Sequence, residues 1–475
     1  MPDTDSKFLI NGGKPLHGKV KVSGAKNSAT KLLVASLLTD KECIFHNSPN
    51  KISDLIVTKD ICESIGSDIK FTENTLTSVT GQISSSHIRK DLGNKNRIAI
   101  LLAGPLLLRT GKAEIPVPGG CKIGTRPVNF HIDSLEKLGC HVTVKDDYYI
   151  LEADSLKGNN INLNYPSVGA TENIIIASTL SKGRTILTNA AVEPEIIDLI
   201  KFLQKMGAII EISTDRKITI EGVDKLHGAE HTVIPDRNQA ASFACAGLAS
   251  KGDIFIENAI QDDLITFLNT VRRVGGKYEV KDNGIRFFYD GDFNSIAIET
   301  NVHPGFMTDW QQPFVILMTQ AKGISIIHET VYEERFGYVS QLQKMGAEIE
   351  LYDTCLGGLV CRFASTHYFH SAVVKGPTPL RGAEINVPDL RAGFSYLIAG
   401  VIGYTETSIM NDNTTSNNLF KNIFNLLLIL YSISIRLISS RLLELSFESI
   451  SSFPDGNILN LTFLFLNSHI KFSIS

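Results

Sequence analysis

One local pattern recurs five times along the chain: an amphipathic helical stretch ends in an apolar residue plus glycine and runs straight into alternating residues. The copies read ICESIGSDIKF, LEKLGCHVTV, FLQKMGAIIEI, VRRVGGKYEV and LQKMGAEIEL. A glycine there suits the left-handed position that closes a helix, and alternation of apolar and polar residues is what a half-buried strand requires. The glycines are Gly66, Gly139, Gly207, Gly275 and Gly346, separated by 73, 68, 68 and 71 residues. That period defines an α/β unit of about seventy residues. Such a unit covers its sheet only by packing helices against neighbours, so the pattern predicts units grouped around shared buried helices and split between two lobes. The apolar runs RIAILLAGPLLLR, TENIIIASTL and RAGFSYLIAGVIG fit buried repeat helices and are too short or interrupted to span a membrane.

A sixth unit is expected to place its glycine near position 416, and none is there. From Asn413 to Ser475 the chain contains no alanine, no valine and a single glycine, Gly456, while serine, leucine, isoleucine and phenylalanine dominate. This abrupt change marks 413–475 as an aberrant tail. A translated wrong reading frame that replaces the end of the last unit accounts for it. A membrane anchor does not, because the longest uncharged stretch, from Asn422 to Ile435, falls short of the ~20 apolar residues of a spanning helix.

With 475 residues and 43% hydrophobic content, the chain has enough apolar side chains for at least two domains. A net charge of -4 and a pI near 6.3 offer no electrostatic case for nucleic acid or an anionic membrane. Seven scattered cysteines, never in a CxxC pair, argue against both a disulfide framework and a zinc cluster, and fit reduced cytoplasmic thiols. The polar, acidic start MPDTDSKFLINGG lacks the apolar core of a secretion signal.

The segment VPGGCKIGTRPVNFH, Val117 to His131, sets Cys121 among Gly119, Gly120 and Gly124, next to Lys122 and Arg126, with Pro118 and Pro127 at its ends. A thiol among cations is suited to acid chemistry, since positive neighbours lower its pKa from about 8.5. Further cations stand where strands pass to helices: Lys26 with Asn27 in SGAKNSAT, Arg97, Arg237 in PDR, Arg335 and Arg391. Helix starts favour anions. Carboxylates occur at comparable places: Asp236, Asp309 and Asp389. Asp309, at the start of an apolar helix, reads equally as a helix cap or as a catalyst.

Over roughly residues 7 to 412, the segments SGAKNSAT, PGGCKIGTRPV, SVGATEN, AAVEPEI, IPDR, HPGFMTD and PDLRAG closely resemble, in order and spacing, the enolpyruvyl transferases that begin peptidoglycan synthesis, the UDP-N-acetylglucosamine 1-carboxyvinyltransferases. The resemblance implies a two-lobed, inside-out α/β barrel of six repeats. It also implies transfer of the enolpyruvyl group of phosphoenolpyruvate to the 3′-hydroxyl of UDP-N-acetylglucosamine, with release of phosphate and without a metal or organic cofactor. One lobe then runs from 26 to 234 and the other comprises 1–25 and 235–412, with the tail from 413 outside both. The shikimate-pathway enolpyruvyl transferases share the fold but lack the cysteine loop and the SVGATEN segment.

Carried over by position, Lys26, Asn27, Arg126 and Arg391 look like the phosphoenolpyruvate-binding residues. Arg97, Arg126, Pro127, Val128, Asn129, Phe130, Ser167, Val168, Asp309 and Val331 look like those that hold the nucleotide sugar. Cys121 resembles the family's general acid and target of fosfomycin, and Asp309 its base. The chain departs from the family twice. Gln239 stands where the family usually has glutamate, and 411–421 read NDNTTSNNLFK where the family carries an Arg-Gly-Tyr segment whose arginine contacts the phosphoenolpyruvate carboxylate. The missing arginine leaves open an inactive, nucleotide-sugar-binding relic.

Overall fold

A computed structural model describes residues 7–117, 128–359, 361–387, 390–410, 435–438, 443–446, 459–465 and 468–474. For residues 7, 8, 390, 391, 410 and the segments beyond 434 the description is of the backbone alone.

All five repeat glycines adopt the left-handed conformation, with φ between 91° and 110°. In each, the residue after the glycine donates its N–H to a carbonyl five residues back, as in Ser67 to Cys62 and Ala208 to Leu203 (3.1 and 2.9 Å), which satisfies a helix-end carbonyl. The chain then turns into a strand hairpin. In the first unit the helix Lys26–Ala35 leads to the strand Cys43–His46, the helix Ser53–Ser64, Gly66 and the hairpin Asp68–Thr72 with Thr75–Val79. Comparable sheets recur along the chain, one of three strands, four of four and one of seven.

Two hydrophobic cores result. One runs from Ala29 to Val233; the other joins Ile10, Leu16, Val20 and Val22 to residues between Ala240 and Ile409. In the second, the helices Arg237–Ala249, Thr308–Met318 and Leu390–Ile402 pack against one another. Every residue of Arg237–Ala249 except Ser242 is buried. Its nearly all-round burial explains why its sequence shows little amphipathic contrast. Helices inside and sheets outside make this the two-lobed, inside-out α/β barrel that the resemblance implies, with the shared buried helices that the repeat predicts.

The chain passes between the cores twice, and the two passages are hydrogen-bonded together. Ala25 N donates to Ile234 O at 2.7 Å and Asp236 N to Ser23 O at 2.8 Å, around a bridge between Gly24 and Pro235. Gly24 must be glycine there, because a Cβ would stand 1.9 Å from Asn47 O. Gln239 supports the same crossing: its Oε1 accepts from Ser23 N at 3.1 Å and from Ser23 Oγ at 3.2 Å.

The sixth unit is built differently from the others. Its sheet holds the parallel pair Glu384–Asn386 and Glu406–Met410, and its next strand is the N-terminal segment Lys7–Asn11, antiparallel to Glu406–Met410. On the far side of Lys7–Asn11 lies Ile435–Ile438, in the position that the post-glycine strand takes in the other units, and Leu443–Ser446, Leu459–Phe465 and Ser468–Ile474 extend the sheet. Of the described parts of 413–475, Ile435–Ile438 therefore pairs with the last unit and the other three strands continue its sheet, although the sequence before Ile435 lacks the glycine that precedes that position elsewhere. Among the described residues, no helix is long and apolar enough to cross a membrane.

Candidate active site

Immediately after the first passage, Lys26 opens the helix Lys26–Ala35, and its Nζ is ion-paired with Asp54 in the first turn of Ser53–Ser64. Asn27 follows, half-buried, with its carbonyl accepting from Lys31 Nζ at 2.8 Å. Asn96 ties the next element to this corner by donating to Asp54 O at 3.2 Å, and its own Oδ1 caps the turn at Ile98 N, 3.1 Å away. Arg97 is thereby set beside the Lys26 corner.

Arg97 also faces His131, on the helix Asn129–Lys137. Burial, reinforced by the charge of Arg97, pushes that imidazole down to about 3, so it stays neutral. Its Nδ1 lies 3.3 Å from Asn173 Nδ2 on the helix Val168–Ser178. Gly169 allows the close approach, since a Cβ would stand 3.1 Å from His131 Cε1. Ser167 caps that helix by accepting from Ala170 N at 3.4 Å, with Val168 its first residue. Arg97, Val128, Asn129, Phe130, Ser167 and Val168 are thus gathered around His131. Val128 is buried, Phe130 is half-buried and Asn129 is exposed.

The facing wall comes from the second core. Asp309 is the second residue of Thr308–Met318; the cap position is Met307, so Asp309 does not occupy the cap. Arg335 Nη2 donates to Asp309 Oδ1 at 2.7 Å, and Asn238 Nδ2 approaches Oδ2 at 3.5 Å. Next to this pair the wholly buried Glu329 accepts from Thr308 Oγ1 (3.0 Å), Val331 N (2.8 Å) and Tyr332 N (3.1 Å). Burial raises its pKa, with Arg335 opposing. Glu329 is what shapes the turn carrying Val331. Tyr165, two residues before Ser167, lies within the electrostatic reach of Tyr332 and Glu329, and burial pushes its hydroxyl up to about 12.

Arg237 has a different task from the one its position suggests. Its guanidinium grips Glu195 through Nε–Oε1 (3.1 Å) and Nη2–Oε2 (2.8 Å), with both side chains below 5% exposed, and so joins the two cores. Asp236 caps the helix by accepting from Asn238 N and Gln239 N at 2.9 and 3.2 Å. Cys121, Arg126 and Pro127 lie outside the described residues, as does Asp389. Arg391 falls in the helix Leu390–Ile402, where the backbone alone is described.

Residues 10–426 match the family model of EPSP synthase (3-phosphoshikimate 1-carboxyvinyltransferase). A UDP-N-acetylglucosamine 1-carboxyvinyltransferase of Protochlamydia amoebophila is 51% identical over 409 residues, covering 84% of this chain and 88% of that protein. The chain belongs to the UDP-N-acetylglucosamine 1-carboxyvinyltransferases of the enolpyruvyl transferase family. A relative of the same name from Chlamydia muridarum is 48% identical over 398 residues, 83% of this chain and 90% of that one. Among solved structures, the enolpyruvyl transferase NikO from Streptomyces tendae superposes with a TM-score of 0.80 at 21% identity, covering 92% of this chain and all of that one. EPSP synthase from Acinetobacter baumannii gives 0.69 at 16% identity, over 90% and 99%. At such identities the likeness establishes the fold, and it agrees with the two-lobed barrel described above.

Proposed function

We propose that this chain transfers the enolpyruvyl group of phosphoenolpyruvate to the 3′-hydroxyl of UDP-N-acetylglucosamine and releases phosphate, the first committed step of peptidoglycan synthesis, as a cytoplasmic enzyme of cell-wall formation. The observation that carries this reading is the Asp309 carboxylate, oriented by Arg335 and Asn238 at a helix start, in a chain half-identical to relatives of that name.

The chemistry needs an acid, a base and fixed cations. Addition of the sugar hydroxyl to C2 of phosphoenolpyruvate removes a proton from oxygen and delivers one to C3; collapse of the tetrahedral ketal then expels phosphate. Asp309 takes the hydroxyl proton, and the thiol of Cys121 supplies the proton to C3. Lys26, Asn27, Arg126 and Arg391 hold phosphoenolpyruvate and offset charge on the departing phosphate. Arg97, Arg126, Pro127, Val128, Asn129, Phe130, Ser167, Val168, Asp309 and Val331 receive the nucleotide sugar. No step calls for a metal or organic cofactor.

A second reading is favoured by one observation: 411–421, NDNTTSNNLFK, contains no arginine where the family has one. In that reading the chain binds the nucleotide sugar without turnover. Equilibrium titration with UDP-N-acetylglucosamine and with shikimate 3-phosphate tests the substrate assignment separately from turnover. Saturable binding of the nucleotide sugar alone is expected; binding of shikimate 3-phosphate alone would overturn it.

A further inference from the structure

The fifth unit carries a hairpin unlike those of its neighbours. Two residues join the hairpin strands in the first, second and fourth units and five in the third, but eighteen, 353–370, join Glu348–Tyr352 to Ser371–Gly376 in the fifth. Loops beyond ~12–15 residues without secondary structure are uncommon in compact domains and are usually functional or disordered. Among its described residues, apolar burial does not account for the order of this one. Phe363 is buried, whereas Leu356, Leu359, Tyr368 and Phe369 are exposed. Ordering each residue opposes folding by ~1–2 kcal/mol, far more in total than the ~1.5–3 kcal/mol from one buried aromatic ring.

What the loop does achieve is to bring two thiols onto the end of the sheet. Cys355 and Cys361 close on His328, the last residue of the strand Gly323–His328, so that one potential ligand atom from each lies within 4.8 Å of the others. His370 adds a fourth: its Nε2 is 3.3 Å from Cys355 Sγ, and its ring centroid is 5.3 Å from that of His328. Both imidazoles are fully buried. Gly357 packs so closely on His328 that a Cβ would stand 2.4 Å from its Cδ2, and Glu299 fixes the loop tip by accepting from Gly358 N (2.7 Å) and Leu359 N (2.8 Å).

Hydrogen bonding decides which ring nitrogens carry protons. Ser371 Oγ donates its single proton to Thr354 O at 2.8 Å and accepts from Leu356 N at 3.2 Å. The contact with His328 Nδ1 at 2.9 Å therefore uses an imidazole N–H, which leaves a lone pair on Nε2. That Nε2 is buried and has no hydrogen-bond partner. His370 Nδ1 faces the carbonyl of Tyr368 at 2.7 Å, an acceptor only, so its Nε2 also presents a lone pair toward the thiols. Two thiols and the His328 ring gathered within 4.8 Å, a second imidazole lone pair 3.3 Å from one of those thiols, and each ring fixed by a partner on its other nitrogen together supply the ligand set of a zinc site with its outer hydrogen bonds.

We propose that His328 Nε2, His370 Nε2, Cys355 Sγ and Cys361 Sγ bind one Zn²⁺ tetrahedrally and staple the 353–370 loop to the fifth sheet. Binding releases the two thiol protons to solvent and forms two Zn–S and two Zn–N bonds, with no change of oxidation state. The mixed thiolate and imidazole set favours zinc over magnesium or calcium. The role is structural. Arg362, next to Cys361, lies over the Tyr165 ring at 4.7 Å and reaches Glu333 at 3.7 Å, so the staple also anchors a cation between the walls of the cleft. Absence of a CxxC pair hid the cluster in the sequence, because its thiols are six residues apart and one histidine comes from a different strand.

The test uses the purified full-length chain, incubated with Zn²⁺ and desalted. We expect one zinc per chain, and two more thiols reactive toward Ellman's reagent after chelation than before it. Replacement by Co²⁺ is expected to give thiolate-to-metal charge transfer and the intense visible bands of a tetrahedral centre, both lost in Cys355→Ser/Cys361→Ser. The thiol count on the unaltered chain needs no variant and stands even if that variant misfolds. Retention of less than a tenth of an equivalent of zinc, an unchanged thiol count, an octahedral cobalt spectrum, or a Cys355–Cys361 disulfide in the reduced-buffer preparation would each overturn the site.

Discussion

Removing the Arg237 guanidinium should cost more stability than any other single charge deletion near the cleft. Its two hydrogen bonds to Glu195, at 3.1 and 2.8 Å, are made by side chains only 2% and 4% exposed. Burial alone would raise the Glu195 carboxyl, but the charge and hydrogen bonds of Arg237 outweigh it and hold the group below its ordinary value. Arg237→Met leaves that carboxylate buried beside Glu193, whose own pKa burial raises, and with Glu172 in electrostatic reach. Breaking one side of a buried pair costs about 3–5 kcal/mol, a large part of a total stability of ~5–15 kcal/mol. Replacing both partners, Arg237→Met with Glu195→Leu, should recover most of it. Since the single tryptophan, Trp310, lies 5.8 Å from the Arg237 guanidinium, urea unfolding is best followed by circular dichroism. The native pair's contribution is present above the unfolded carboxylate pKa and is lost as pH falls through the depressed folded value. The deficit of Arg237→Met should therefore shrink in acid, as Glu195 takes up a proton. A deficit under about 1 kcal/mol at pH 8, or strict additivity in the double variant, would show that Arg237 and Glu195 do not form a coupled buried pair.

Asp309→Asn keeps the shape of the Arg335 contact but removes the proposed base; turnover should fall about 10²- to 10⁴-fold, with nucleotide-sugar affinity changing far less, as read by phosphate release and calorimetry. Burial pushes Glu172 up to about 7 against the pull of Lys31 at 3.6 Å, so its folded state holds a proton that the unfolded chain gives up near 4.5. Stability should fall as pH rises from about 4.5 to 7 by up to about 3 kcal/mol, and denaturant midpoints for Glu172→Gln should lack that slope. Gln239→Glu preserves the oxygen that accepts from Ser23 and should change stability by less than about 1 kcal/mol, whereas Gln239→Leu strips Ser23 N of its acceptor, leaving Ser23 Oγ only Gly24 O, and should lose about 1–3 kcal/mol in the same unfolding assay.

The repeat was legible because each copy is local: a helix end, one glycine and the first strand residues decide its conformation, and Gly66 through Gly346 all take it. Charge partners were not. Arg237 and Glu195 are 42 residues apart and on different cores, and Arg335 meets Asp309 across 26 residues, so motif reading saw cations at helix starts where the fold places two salt bridges. His131, the last residue of the cysteine segment, and Glu329 orient the residues on either wall, but each does so through contacts with several elements that no local pattern records. The tail defeats local reading for a related reason. A strand such as Ile435–Ile438 acquires its place only by pairing with Lys7–Asn11, more than four hundred residues away.

Enolpyruvyl transfer by this chain is read out by inorganic phosphate release from phosphoenolpyruvate in the presence of UDP-N-acetylglucosamine, with and without fosfomycin, by the purified chain and by Cys121→Ala. Release should require the nucleotide sugar and be blocked by fosfomycin, whereas Cys121→Ala, lacking the proposed acid, should release phosphate about 10²- to 10⁴-fold more slowly and take no covalent label from fosfomycin. No release from a folded chain that binds UDP-N-acetylglucosamine would contradict enolpyruvyl transfer and establish the inactive reading that the sequence of 411–421 leaves standing.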